Sequence, residues 1–270
     1  MEAGKEWERW NDWLFRYQYL FRNRSSASQK RRFIQALAAD LKLLDPDVRV
    51  EKCGTSKVPS YRVLVHDPAK ADRIFITYYE GIREQVGDLD LFDLEDTRKK
   101  TMLYLLLEIV VWCIVAIVVV GAFFFLQERA WLREGWFVGF GLVFLLLFYW
   151  ARTMRNGSSF ASSSAQNTSS IIAMLGMIGN APRSSAFVFV ESAHGSIVGL
   201  RKSLKIRNDQ SVYLLDRIGL QAPLHRIDHK GVQRVFAAEK IGDRFIVSKK
   251  IRHSNSVNKN NIEQVLRWFA

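Results

Sequence analysis

Apolar residues recur along this chain in three rhythms, and each rhythm predicts a different kind of element. Between residues 5 and 24, Trp7, Trp10, Leu14, Tyr17 and Phe21 fall at spacings of three and four. That spacing is one stripe of an amphipathic helix. Trp13 and Leu20 widen the stripe, and Arg9, Arg16, Arg22 and Arg24 surround it. Such a helix can lie in a membrane interface, cover a sheet or grip a partner. A second helix is expected over Gln29–Leu44, capped by Ser28, with Phe33, Leu37, Ala38 and Leu41 inward and Asp45-Pro46-Asp47 as its stop.

A strand rhythm follows at Val48–Lys52, Tyr61–His66 and Arg73–Tyr79, and Asp88–Asp96 is an acidic stretch. The third rhythm is unbroken hydrophobicity. Met102–Leu126 has 25 residues with Glu108 as its sole charge, long enough to cross a hydrocarbon core of about 30 Å. Trp136–Trp150 has 15 and is short alone; Trp131 and Leu132 extend it at one end and Ala151 at the other. Soluble core helices rarely stay apolar on every face for so long. The two runs therefore predict a transmembrane hairpin, with Trp131, Trp136 and Trp150, like Trp7 and Trp10 of the first helix, placed at the interface.

Beyond the hairpin, Gly157–Ser170 reads as a small-residue loop. A short helix over Ser170–Gly179 is expected to bury Ile171, Ile172, Met174, Leu175 and Ile178. Ser185–Val190 is a continuous apolar strand of the buried parallel kind. His194–Leu204 reads as a loop and short helix, and Ser211–Leu215 as another strand. Val235–Ala238 and Arg244–Val247 read as hairpin or edge strands about Gly242-Asp243, and Ile262–Phe269 as a closing helix. Helices alternating with apolar strands imply a three-layer α/β sandwich with a mixed, mostly parallel central sheet, interrupted by the hairpin. The domain plan is 1–27 amphipathic helix, 28–100 first part of the α/β domain, 101–151 hairpin and 152–270 second part.

Charge sharpens this picture. Residues 1–100 carry 19 Lys/Arg against 17 Asp/Glu, 101–150 carry 2 against 3, and 151–270 carry 18 against 7. Arg98, Lys99 and Lys100 precede the first run, Arg152 and Arg155 follow the second, and the loop between them is neutral. Positive-inside asymmetry then places two spans with both termini and the soluble domain on the cytoplasmic side. The basic second lobe suits an anionic phospholipid surface. Nucleic acid is disfavoured, since no helix-turn-helix or zinc-finger spacing accompanies the charge. Cys53 and Cys113 lie in a polar segment and an apolar run, a placement that predicts no disulfide.

The segments ITYYEG at Ile76–Gly81, SAQNTSSIIAML at Ser164–Leu175, FVFVESAHGSIVGL at Phe187–Leu200, YLLDRIG at Tyr213–Gly219 and HSNSVNKNNIEQVL at His253–Leu266 carry a resemblance. Their order resembles the zinc aminopeptidases with a co-catalytic metal pair, an M28-like fold that also includes glutaminyl cyclases. The resemblance implies a zinc-exopeptidase-like sheet with a cleft at the carboxyl ends of its strands. It does not imply intact chemistry. At the family's first histidine ligand stands Tyr78, with Glu80 matching a supporting carboxylate. At the bridging carboxylate stand Ala165 or Gln166, beside Asn167. The two glutamates align with Ser192 and Ala193, and Glu191 recovers one only by a shift of register. Asp216 and His253 alone match ligands. Two adjacent dications need anionic and imidazole ligands, so the expectation is no catalytic residue, no metal and no cofactor.

Other chemistry is thin. His225, Asp228 and His229 are read as solvated loop residues after Pro223, and Ser192 with His194 lacks a nucleophile elbow. The expected function is a non-catalytic, membrane-anchored pseudo-peptidase. It would serve as scaffold or accessory subunit of a membrane complex, contacting another membrane protein through the hairpin and a relic cleft of Tyr78, Glu80, Gln166, Asn167, Glu191, Asp216 and His253. One alternative is a membrane-associated, metal-dependent aminopeptidase or amidase with a rearranged site. The other is an anionic-lipid or nucleic-acid binder.

Overall fold

The residues that read as strands do pair, but in an order the chain does not follow. The structure, a computed structural model, describes residues 2–22, 24, 26–55, 58–80, 85–127, 141–149, 164–191, 197–254 and 256–270. They form two units. One is Met1–Ile82 with Phe160–Ala270, and the other, Arg83–Ser159, is inserted between these in the chain.

The first unit opens with α1 (Glu2–Phe15), which runs into a π-helical turn at Arg16–Leu20. Trp13 and Tyr17 are buried in the core, and Trp10 and Leu14 pack against it. From Trp10 to Phe21 the amphipathic stripe is thus spent on protein. Helix α2 (Ala27–Leu44) starts two residues earlier than expected. Ser26, not Ser28, caps it, accepting from Gln29 N–H while the Gln29 side chain accepts from Ser26 N–H. This reciprocal box satisfies two of the helix's orphan donors.

Strands β1 (Val48–Thr55), β2 (Val58–Val65), β3 (Arg73–Tyr78), β5 (Ser185–Val190), β6 (Ser211–Asp216), β7 (Leu224–His229) and β8 (Val232–Ala237) build one sheet, in the order β1-β2-β5-β3-β6-β8-β7. β5, β3, β6 and β8 are mutually parallel. β2 runs antiparallel to both neighbours and β7 antiparallel to β8. The result is the mixed, mostly parallel sheet that the sequence leads one to expect.

Alternation along the strands gives each face its own core. Phe75, Phe187, Phe189, Tyr213, Leu215 and Val235 join α1, α2, α5 (Ser164–Ile178) and α8 (Lys259–Phe269) on one side. Ile74, Ile76, Val188, Val190, Val212 and Leu214 meet Leu200 of α6 (Ile197–Ser203) and Leu204 on the other. Phe75 stacks between Phe187 and Tyr213, with ring centroids 5.2 and 5.1 Å away.

Three further expectations need correcting. Residues 164–170 are the opening turns of α5 rather than loop, and the polar side chains of Thr168, Ser169 and Ser170 find internal partners there. The Gly219 N–H donates to Ser169 Oγ at 2.9 Å, and Arg24 to Thr168 Oγ1 at 2.9 Å. His225, Asp228 and His229 lie on edge strand β7, not in a loop. The hairpin about Gly242-Asp243 pairs β9 (Glu239–Ile241) with β10 (Arg244–Val247), while Val235–Ala237 belongs to the main sheet.

In the second unit, β4 (Leu89–Asp90) precedes α3 (Leu94–Gln127), and residues 141–149 form helix α4. Glu95–Ala122 is the one stretch, among the described residues, long and apolar enough to cross a membrane. The described part of the second run is α4 alone. Trp131, Trp136 and Trp150 lie outside the described residues, as do residues 128–140 between the two helices.

Candidate functional site

Three parallel strands deliver their carboxyl ends to one edge of the sheet: β3 at Tyr78, β5 at Val190 and β6 at Asp216. Open α/β sheets bind ligands beyond such ends. Glu80 and Glu191 follow directly, and the chain turns both carboxylates onto one lysine.

Lys30, in the first turns of α2, places its Nζ 2.6 Å from Glu80 Oε1 and in contact with Glu191 Oε1. Asn167, buried in α5, donates its amide to the Glu80 carbonyl. Burial alone would push the Lys30 ammonium down. The hydrogen bonds to Glu191 and Glu80 outweigh it and hold the pKa above the ordinary lysine value. The ammonium is therefore charged at neutral pH.

Asp216 is buried with two guanidiniums beside it, Arg217 Nη1 at 3.6 Å and Arg234 Nη2 at 3.5 Å. Arg217 adopts a left-handed backbone, φ 54°, uncommon for a side-chain-bearing residue. Tyr78 shares this neighbourhood. Burial first, then the Asp216 charge, push its phenol above the ordinary tyrosine value, against the smaller pull of Arg234 and Arg217. A phenol so placed stays protonated and makes a poor metal ligand. Next to it, Tyr79 is buried and donates its hydroxyl to the Tyr61 carbonyl at 2.7 Å.

A further basic group is hydrogen-bonded to the Tyr79 carbonyl. Arg24 is buried and donates to the carbonyls of Phe21, Tyr17 and Tyr79 at 2.8, 2.8 and 3.2 Å, as well as to Thr168. Its guanidinium lies 4.0 Å from the Phe33 ring centroid. Burial lowers its pKa to about 9, so it remains a cation at neutral pH.

The expected cleft residues are thus divided. Glu80 and Glu191 meet through Lys30, Asn167 joins them through the Glu80 carbonyl, and Tyr78 lies within electrostatic reach of Asp216. His253 is exposed at the end of α7 (Lys249–Arg252). Gln166 lies in α5, and neither its side chain nor that of Trp7 is described. Ser192, Ala193 and His194 lie outside the described residues. Trp10 packs on the protein, against Gly176 of α5. His225 is engaged in the sheet, its Nε2 paired with the Ala238 carbonyl at 3.0 Å and its ring against Phe245.

A pair of zinc ions, which the resemblance implies, does not fit these residues. Where ligands would converge, an ammonium and two guanidiniums already neutralise the carboxylates, and a metal would have to displace them. Among the described residues no three His, Cys, Asp or Glu side chains gather as a metal-ligand set. Sequence reasoning missed Lys30, Arg217 and Arg234. Lys30 carries no local signal, because its partners lie 50 and 161 residues away.

No protein-family model matches the chain, and no curated protein sequence matches it. Among solved structures it is similar to two of LapA from Legionella pneumophila. To the LapA aminopeptidase the TM-score is 0.42 with 9% identity, covering 96% of this chain and 70% of that one. To a second LapA crystal structure the TM-score is 0.36 with 11% identity, covering 78% of this chain and 43% of that one. The chain thus spans less than half of that second protein.

Proposed function

We propose that the protein is a non-catalytic, membrane-anchored binding subunit whose α/β body serves a complex rather than a reaction. The observation that carries this reading is Lys30 shared between Glu80 and Glu191. A lysine fixed between two carboxylates supplies the positive charge that a metal would bring, and neither activates water nor takes up a proton at neutral pH. In this reading α3 and the second apolar run form a two-span hairpin, both termini face the cytoplasm, and the hairpin and cleft contact another membrane protein. The basic residues 151–270, with exposed Lys249 and Lys250, favour a further contact with anionic headgroups.

The test is to purify the full chain from native membranes in mild detergent, then measure bound zinc, turnover of aminoacyl reporter substrates and the mass of the particle. The expected result is zinc far below one per chain, no turnover, and a particle heavier than one chain. Stoichiometric zinc together with turnover lost in Asp216→Asn would overturn the non-catalytic reading, and a strictly monomeric particle would overturn the subunit reading.

A further inference from the structure

On the face of the sheet that carries α6, strands β1 and β2 and the end of β5 enclose a cleft of about 270 Å³. Ser60, Tyr61, Tyr78, Val190 and Leu200 line it, together with Cys53, the cross-strand partner of Ser60. Ser60 is only 2% exposed, and among the described residues its Oγ has no hydrogen-bond partner. A buried hydroxyl left in that state is a cost that a ligand can relieve.

The charged groups on the wall are already engaged. Arg62 Nε donates to Glu51 Oε2 at 2.6 Å and Nη1 to Ser203 Oγ at 3.2 Å, while Glu191 holds Lys30. Burial pushes the Cys53 thiol above its ordinary pKa, so it too is neutral. A charged ligand would lose its hydration here and meet countercharges that are already paired. Tyr61 turns its ring to the opposite face of the sheet, so what the lining offers is the Tyr78 phenol ring, two aliphatic side chains and one unanswered hydroxyl. The volume falls below the roughly 300–1,000 Å³ of sites for drug-sized ligands, so the cleft accommodates a single group rather than a length of chain.

We propose that this cleft binds an uncharged aromatic group bearing one hydroxyl or N–H, of the phenol or indole type. Rings of this kind stack on tyrosine faces and bring one polar tip for a buried partner. The cleft shares Tyr78 and Glu191 with the site described above, so the inference rests on the binding reading and names what is bound.

The experiment uses the full chain in lipid nanodiscs, with empty nanodiscs as the blank, titrated with p-cresol, 3-methylindole, N-acetyl-tyrosinamide, benzoate and benzylamine. Binding is followed by saturation-transfer NMR and by protection of Cys53 from maleimide, read by mass spectrometry. Saturable binding of the neutral rings is expected, with the charged analogues at least about tenfold weaker, a weakening of up to about tenfold in Ser60→Ala, and loss of binding in Leu200→Trp. If N-acetyl-tyrosinamide binds as well as p-cresol, the natural group is a protein side chain. If only the free rings bind, it is a small molecule. No saturable binding of any neutral ring, equal binding of the charged analogues, or binding unchanged in both variants overturns the proposal. Failure here leaves the zinc and turnover results untouched, so the two readings fall separately.

Discussion

Helices α5 and α3 are both apolar around most of their circumference, and they meet opposite surroundings. From Asn167 to Ile178 every residue of α5 except Gly176 is buried within the first unit. Along α3 the most apolar stretch is 0% buried, with Leu103, Ile109, Ile117 and Phe125 exposed. An all-round apolar helix needs non-aqueous neighbours on all sides. Length separates the two cases. The 15 residues of α5 are too few to span a bilayer, and the 34 of α3 are enough. Burial accounts for the apolar surface of α5, whereas α3 is long and apolar enough to cross a membrane.

The sharpest way to break that comparison is to place one charge in each helix. Ile172→Asp puts an unpaired carboxylate where the wild-type side chain is 2% exposed. It should destabilise the α/β body by more than about 4 kcal/mol, seen as loss of the cooperative urea transition. Ile117→Arg, at a position 70% exposed in α3, should instead cost about 2.5–3.5 kcal/mol of membrane insertion. Its readout is release from the pellet on alkaline carbonate extraction, with the urea midpoint of the body unchanged. A variant that stays in the pellet and unfolds more easily would mean that α3, too, is packed on protein. The smallest effect tests how closely α5 is covered. At Gly176 an added Cβ would stand 2.6 Å from Trp10 Cζ2 and 3.2 Å from Leu266 Cδ2. Gly176→Ala should cost about 1–3 kcal/mol by overpacking, with a shift of the Trp10 fluorescence. A neutral outcome would show that α1 is not held against α5.

How much of this was legible depended on whether a residue's partner was near it in sequence. Ser185–Val190 and Arg73–Tyr78 announced themselves, because strands buried on both faces are continuously apolar. β7 did not. An edge strand is half-solvated, and the polar run His225–His229 behind a proline looks like a loop. The buried start of α5 also misled, since Thr168, Ser169 and Ser170 read as linker residues until Arg24, Gly219 and Ile218 supply their hydrogen bonds. The site shows the same limit more strongly. Glu80, Glu191 and Asp216 stood out as carboxylates at strand ends, but their cations come from a helix start, a left-handed turn and the middle of β8. No periodicity marks a lysine as the partner of two glutamates in other elements.

The hydrogen bond from Asn167 to the Glu80 carbonyl, with Arg24 gripping both Tyr79 and Thr168, fastens together the two places where the α/β body leaves and re-enters the chain. The body's cut ends are thus already spliced by its own side chains, whatever lies between them. Because loop closure grows costly only slowly with length, the intervening stretch is an exchangeable cassette. It can be lengthened, replaced or trimmed to a short turn without asking the host fold to rearrange.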